Sequence, residues 1–356
     1  MSDEILAGAG FGTFEKQDAV LVGLSGGVDS SVCIRILQQQ GFTVTALVID
    51  FSPAHQKAVE AAKKVAAQLS VPLVVRECHE LFAQQVIAPF CESYCRGETP
   101  NPCVFCNPQV KFRILCEEAD KRGIHYIATG HYARVETGAD GVTRLAVAES
   151  AARDQSYMLY RLGQDVLSRL CLPLGEFEKD DVREMARELG LSSAEAPDSQ
   201  EICFIPDGDH AAYMESRGFF GKPGHFIGPD GADLGPHKGV SHYTVGQRKG
   251  LGLALGKPVF VREISETGNI LLAFAGGEYA KGFSLHGVVT ADGAPLAGLY
   301  DVKIRSMARP AACRIEEGRA VFEQPVRAPA PGQSAVFYRD GAVCGGGFIS
   351  AVDFLL

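Results

Sequence analysis

Apolar residues in the first two hundred positions follow two alternating patterns. Short continuous runs at Ala19–Leu24, Thr43–Ile49, Pro72–Arg76 and His125–Thr129 have the length of strands. Between and after them, Ser30–Gln40, Gln56–Leu69, Glu80–Tyr94, Val110–Arg122 and Asp180–Leu189 carry apolar residues at helical spacing. In Gln56–Leu69 the pattern is made of Ala and Val with polar residues between them. Strand and helix in alternation predict an α/β doubly wound parallel sheet, with ligands at the carboxyl ends of its strands. After Pro206 the texture changes. Gly218–Gly256 is rich in Gly, Pro and His and predicts irregular structure or short strands. From Lys281 onward short runs recur at Tyr300–Ile304, Ala312–Ile315, Ala320–Phe322, Ser334–Tyr338 and Gly346–Ile349, with Pro and Gly between them. That is the pattern of a small β-barrel or sandwich. The chain therefore reads as an α/β domain over 18–212, a linking module over 213–280 and a β-barrel over 281–356.

The first strand runs directly into Ser25, Gly26, Gly27, Val28, Asp29, Ser30 and Ser31, and a helical pattern starts at once. A strand, a glycine turn and a helix start form the geometry that holds phosphate. Two glycines let the backbone approach an anion, and the first N–H groups of the helix point at it. Asp29 is placed to cap that helix or to help hold a metal ion. The Lys of a Walker loop is missing. Ser-Gly-Gly-Val-Asp-Ser instead resembles the pyrophosphate loop of the ATP pyrophosphatase superfamily. Its members split ATP between the α and β phosphates and place AMP on a carbonyl oxygen. The plainer alternative is an ordinary glycine turn before a helix.

Composition narrows the setting more than the chemistry. The chain has 356 residues, 46% of them hydrophobic, enough to build two or three cores. No apolar run reaches the length of a membrane span, and the first residues lack the basic, then apolar, layout of a secretory signal. Eleven cysteines without such a signal predict a reducing, cytoplasmic location. The net charge of −9 argues against nucleic acid. Yet Arg217, Lys222, Lys238, Arg248, Lys249 and Lys257 face only Asp230 and Asp233 in their stretch, so a local RNA contact stays open.

Two cysteine motifs remain. Thr99-Pro100-Asn101-Pro102-Cys103-Val104-Phe105-Cys106-Asn107 predicts a stiff, exposed loop bearing both thiols. Asp198–Pro206 carries one cysteine, Cys203, beside Ile202 and Phe204, where it also reads as a small core residue. Together with the phosphate loop, Ala128-Thr129-Gly130-His131-Tyr132, Asp154-Gln155-Ser156-Tyr157, Gly246–Gly252 and Pro331–Tyr338, these motifs resemble the bacterial tRNA-specific 2-thiouridylases from about Ala19 to Ile349. The resemblance implies an enzyme, a tRNA-uridine 2-sulfurtransferase. It implies ATP and Mg²⁺ as cofactors and a tRNA anticodon arm as partner. It also implies an upstream sulfur donor such as a cysteine desulfurase or sulfur-relay protein, and no membrane. ATP contacts carry over to Gly23, Leu24, Ser25, Gly26, Gly27, Val28, Asp29 and Ser30, and to Ile49 and Gly130. Contacts with tRNA carry over to Asn101, Pro102, Cys103, His131, Arg153, Asp154, Gln155, Arg305, Ser306 and Gln333. For His131, Asp154 and Gln155 an internal hydrogen-bonding role is the alternative. Catalysis falls to Cys203 as a persulfide carrier, Cys106 as its partner, and Asp29.

The chemistry fits these residue types. A uracil C2 carbonyl is a poor electrophile until its oxygen is adenylated, and a persulfide is acidic and strongly nucleophilic. Three departures from the family pattern stand out. The segment Asp50–His55 is short and lacks an acidic insertion. Ser306 replaces an aromatic residue common among members. Cys103 occupies a position that is Asp in part of the family. The last change creates a trio of Cys103, Cys106 and Cys203, which could hold a [4Fe–4S] cluster with one iron open to sulfide. Cys91 and Cys95 with Cys103 and Cys106 could instead hold zinc. Cys33, Cys78, Cys116, Cys171, Cys313 and Cys344 read as structural. Two other functions compete: a carbonyl-activating ligase that uses nitrogen, and a tRNA-binding protein without catalysis.

Overall fold

The structure is a computed structural model that describes residues 18–195, 202–205 and 207–355. It divides into two compact units. The first takes in the chain up to Gln85, Phe105–Phe204 and Gly341–Val343; the second takes in Val86–Val104, Ile205–Asp340 and the chain from Cys344.

The first unit is built on a five-stranded sheet of β1 (Ala19–Gly23), β2 (Thr43–Asp50), β3 (Leu73–Glu77), β4 (Tyr126–Thr129) and β7 (Leu170–Cys171). Its order is β3-β2-β1-β4-β7, and every pairing is parallel. Val20, Leu21 and Val22 of β1 are wholly buried, as a central strand covered on both faces requires. The helix Val28–Gln39 is enclosed too. Ile34 and Leu37 join a core with Val59 and Val65 of the helix Gln56–Gln68, and Val32 and Ile36 join a second with Val182 and Met185 of the helix Lys179–Glu188. A hairpin of β5 (Arg134–Thr137) and β6 (Thr143–Ala146), absent from the sequence reading, pairs through Ala146 with Ala342.

The predicted helix Glu80–Tyr94 is a composite. His79–Phe82 is α-helical, Ala83–Ile87 is a π turn, and Ala88–Cys95 is α-helical again. A second π turn, Asn107–Lys111, joins the helix Pro102–Cys106 to Phe112–Asp120. The first π turn ends two residues before Pro89 and the second contains Pro108, and a proline's missing N–H removes one i→i−4 bond.

In the second unit, β8 (His225–Ile227), β9 (Asp233–Pro236), β10 (Val259–Ile264) and β11 (Ile270–Phe274) form a sheet in the order β10-β11-β8-β9 around Phe226, Tyr243, Val261 and Ile270. Six further strands follow: β12 (Tyr279–Thr290), β13 (Gly298–Lys303), β14 (Ala311–Glu316), β15 (Arg319–Arg327), β16 (Ser334–Arg339) and β17 (Ala342–Phe354). Their order is β12-β15-β14-β13-β16-β17, and β17 pairs back on β12. The sheet is thus a closed barrel around Phe283, Cys313, Phe322 and Phe337, and closure removes its open edges. Among the described residues no helix is long and apolar enough to cross a membrane.

Candidate active site

The phosphate loop sits where the parallel sheet predicts, between the carboxyl end of β1 and the first turn of the helix Val28–Gln39. Its shape is set by hydroxyls. Ser30 Oγ lies 3.0 Å from Ser25 Oγ and accepts from the Ser25 amide at 3.1 Å. Ser31 Oγ donates to Gly27 O at 2.7 Å. Gly26 has φ +79°, and a Cβ there would meet Ala58 O, Ala61 Cβ and Ala62 N at 2.8–2.9 Å. Only glycine fits that conformation and that gap. Gly27, not Asp29, is the N-cap, so the capping role read for Asp29 is corrected. Asp29 stands in the first turn. Its Oδ1 accepts from Lys179 Nζ at 2.6 Å and from Tyr132 OH at 2.8 Å.

Lys179 and Tyr132 were not among the sequence candidates. They lie 150 and 103 residues from Asp29, so no local pattern reveals the cluster. Lys179 is buried with its ammonium beside the phosphate loop, where a Walker loop carries its own lysine. Ile49 ends near the same sheet edge in β2. Gly130 presses on the helix start: a Cβ there would be 2.7 Å from Ser30 N. On the other flank a cavity of about 490 Å³ opens beside Gly26, lined by Gln56, Lys57, Lys64, Ser192 and Ser193.

His131 follows Gly130. Its Nδ1 lies 2.7 Å from Thr129 Oγ1 and its Nε2 3.4 Å from Lys111 Nζ. Loss of hydration, with the Lys111 charge adding to it, holds the imidazole well below its ordinary pKa, so it is neutral at pH 7. Gln155 and Tyr132 pair reciprocally: Gln155 N donates to Tyr132 O at 2.7 Å, and Tyr132 N to Gln155 Oε1 at 2.9 Å. Asp154 is buried, accepting from the amides of Ala148 and Ser156 and from Ser156 Oγ. Arg153 is exposed. These four residues frame the turn beside the Asp29 cluster.

The cysteine loop departs from expectation. Cys103 and Cys106 lie on a helix, Pro102–Cys106, rather than on an open loop, and Cys106 is only 9% exposed while Cys103 is exposed. Asn101 Oδ1 accepts the Cys103 amide at 3.1 Å, the side-chain cap that starts this helix. Within the second unit the preceding residues are tied to the barrel. Thr99 N donates to Pro331 O at 2.8 Å, and Gln333 Nε2 donates to Thr99 O at 2.9 Å. Arg305 donates to Val245 O and Ala328 O, with Ser306 half-buried next to it. Arg248 and Lys249 line a cavity of about 730 Å³ with Phe260, Tyr279 and Arg327.

Cys203 is exposed. Of its motif, residues 198–201 and 206 lie outside the described residues. Among the described residues no three His, Cys, Asp or Glu side chains are gathered closely enough to hold a metal ion. Burial pushes the Cys91 thiol up to about 11, and Cys171 and Cys313 to about 12, which keeps them protonated and unreactive.

Comparison with known proteins agrees with this geometry. The tRNA methyl transferase HUP domain model matches residues 18–207, the tRNA methyl transferase PRC-barrel domain model 217–273, and the aminomethyltransferase beta-barrel domain model 288–349. A tRNA-specific 2-thiouridylase MnmA of Carboxydothermus hydrogenoformans is 42% identical over 353 residues, covering 93% of this chain and 97% of that protein. Its counterpart in Clostridium perfringens is 40% identical over 94% of this chain and 98% of that protein. The counterpart in Acetivibrio thermocellus is 41% identical, with 93% and 98% covered. Identity of this order over three domains in one order, with a phosphate loop and both cysteine motifs in place, shows that the chain belongs to the family of tRNA-specific 2-thiouridylases.

Proposed function

We propose that this protein is an ATP-dependent tRNA sulfurtransferase that replaces the C2 oxygen of a wobble uridine with sulfur. The observation that carries the reading is the phosphate loop: Ser25–Ser30 with Lys179 on Asp29, in the same compact unit as Cys106 and the exposed Cys203. Residues 18–212 supply catalysis, and 213–280 and 281–356 grip the anticodon arm. The amides of Val28, Asp29 and Ser30 have no acceptor inside their helix and serve the phosphates of ATP. Lys179 stands in for the missing loop lysine. Asp29 Oδ1 is engaged by Lys179 and Tyr132, which leaves Oδ2 for the Mg²⁺ that accompanies ATP. A single carboxylate plus phosphate oxygens is an ordinary Mg²⁺ environment; Asp29 would hold the ion, which would supply neutralising charge at the phosphates.

The wobble uridine is unstacked to expose C2. Its C2 oxygen attacks the α-phosphorus, pyrophosphate leaves, and the oxygen becomes part of an AMP leaving group. A persulfide on Cys203, loaded by a donor protein, attacks C2 through its terminal sulfur, and AMP departs. The Cys106 thiolate then attacks the Cys203 sulfur. The bond to the transferred sulfur breaks, 2-thiouridine is released, and a Cys106–Cys203 disulfide is left for an external thiol to reduce. Arg153, Arg248, Lys249 and Arg305 supply cations for tRNA phosphates, and His131 and Gln155 border the nucleotide.

The test is single turnover on a tRNA transcript with ATP and a persulfide donor. Cys203→Ser and Cys106→Ser should each abolish 2-thiouridine while tRNA affinity stays within twofold. A Cys203→Ser enzyme that still thiolates tRNA would overturn the carrier assignment. ATP hydrolysed with no requirement for sulfur, and ammonia incorporated instead, would favour the nitrogen ligase.

A further inference from the structure

Cys203 is exposed, but its neighbour Phe204 is 4% exposed. The Phe204 ring meets Phe82 edge-on, with centroids 5.7 Å apart and planes at 76°. Phe82 is itself 1% exposed and packs against Phe51 at 5.1 Å and His55 at 6.3 Å, while Phe51 and His55 lie 5.4 Å apart. Four rings therefore stand in one group.

The frame beneath them is polar and tied to the carboxyl edge of the sheet. Asp50, the last residue of β2, accepts from Gln56 Nε2 at 2.9 Å and faces His79 Nε2 at 3.0 Å. His79 opens the short helix that ends at Phe82. Ser52 Oγ lies 2.9 Å from His55 Nδ1 and fixes that ring. Two of the four rings come from Phe51–His55, the segment that leads directly from the end of β2 into the helix Gln56–Gln68.

We infer that Phe82, packed against Phe51 and His55, is a positioning residue for sulfur transfer: it holds Phe204 and so fixes where the Cys203 thiol stands. The inference rests on the proposed role of Cys203 and adds the part of the fold that aims it. Phe82 touches no reacting atom. Its effect reaches the chemistry through one peptide unit, where an error of an ångström costs much of the rate. Edge-to-face ring pairs have a preferred geometry and attract each other beyond their buried area.

The experiment compares Phe82→Ala, Phe82→Leu and Phe51→Leu in the full-length enzyme. Three quantities are read: the single-turnover rate of sulfur transfer, KM for tRNA, and the alkylation rate of Cys203 by peptide mass spectrometry. Phe82→Ala should slow transfer at least tenfold with KM for tRNA within twofold, and should change Cys203 alkylation more than threefold. Phe82→Leu should recover part of the rate. Phe51 is only half-buried, so Phe51→Leu keeps the fold and shows a smaller loss of the same kind; it decides the matter if Phe82→Ala does not fold. Folded variants with wild-type transfer and alkylation rates would overturn the inference, as would slowed transfer with unchanged alkylation. Full activity in Cys203→Ser would instead remove the carrier role, so the two failures are distinct.

Discussion

One steric prediction concerns Gly130, which follows β4 and lies against the start of the phosphate-loop helix. A methyl group at this position would sit 2.7 Å from Ser30 N, 2.8 Å from Asp29 C and 3.0 Å from Ser30 Cα. All three atoms are backbone, so no side chain can rotate away. Ordinary contact begins near 3.4 Å, and the helix start must retreat by about 0.7 Å to accept the substituent. Overpacking of this kind costs about 1–3 kcal/mol. The retreat displaces the amides proposed to hold the phosphates, so under that proposal the cost falls on ATP binding as well as on folding. If all of it fell on binding, Gly130→Ala would weaken ATP by about 5- to 150-fold. Calorimetric titration of ATP, paired with a thermal melt, measures both shares. tRNA affinity serves as the internal control and should not change. Wild-type ATP affinity together with a wild-type melting temperature would refute the reasoning.

Four further outcomes follow from described contacts. Lys179→Met removes the partner of Asp29; Lys179 is buried but Asp29 is a third exposed, so we expect a loss of about 1–3 kcal/mol in urea unfolding and at least tenfold weaker ATP binding. Unchanged ATP binding would exclude Lys179 from the phosphate site. Burial holds His131, His55, His210 and His237 below their ordinary pKa, so the unfolded chain binds more protons just below pH 6.5. Stability should be full above that pH and fall as pH drops through the window, by up to about 1.4 kcal/mol per pH unit for each histidine; urea midpoints equal at pH 7.5 and pH 5.5 would contradict this. Arg248→Ala with Lys249→Ala should lower the slope of log Kd for tRNA against log salt by about 2, and an unchanged slope would mean that neither meets a phosphate. Asn101→Ala removes the cap of the helix Pro102–Cys106 and should cost about 1 kcal/mol, read as faster amide exchange at Cys103 and Val104.

Much of the first unit was legible because its signals are local. The runs at Ala19, Thr43, Pro72 and His125 became β1 to β4, and the glycine turn after β1 became the phosphate loop. In the later half the runs at Tyr300, Ala312, Ala320, Ser334 and Gly346 fall in β13 to β17, whereas β10, β11 and the long β12 went unread. What escaped the sequence reading needed distant partners. The β5–β6 hairpin, framed by Thr137 and Thr143, is too short and half-polar to stand out from a loop. Cys106 looked exposed because prolines usually mark surface turns; here Pro102 opens the helix and Pro108 sits inside the π turn that continues it. Lys179 belongs to an ordinary amphipathic helix, and nothing in Lys179–Glu188 says that its first residue turns inward to Asp29. Asp154 and Gln155 are legible as a motif, but their hydrogen bonds to the backbone appear only in three dimensions.

The tie between Thr99 and the barrel has a bearing on biosynthesis. The loop that introduces Asn101 and Cys103 is fixed by Pro331 and Gln333, more than two hundred residues downstream. The barrel that carries those two residues closes only when β17 pairs with β12. During translation the phosphate loop and its parallel strands can fold early, whereas the cysteine loop waits for β17 to be made. Until then it is held at one end only, its thiols open to oxidation and to unrelated partners. ATP binding should therefore be detectable on ribosome-bound chains well before sulfur transfer is.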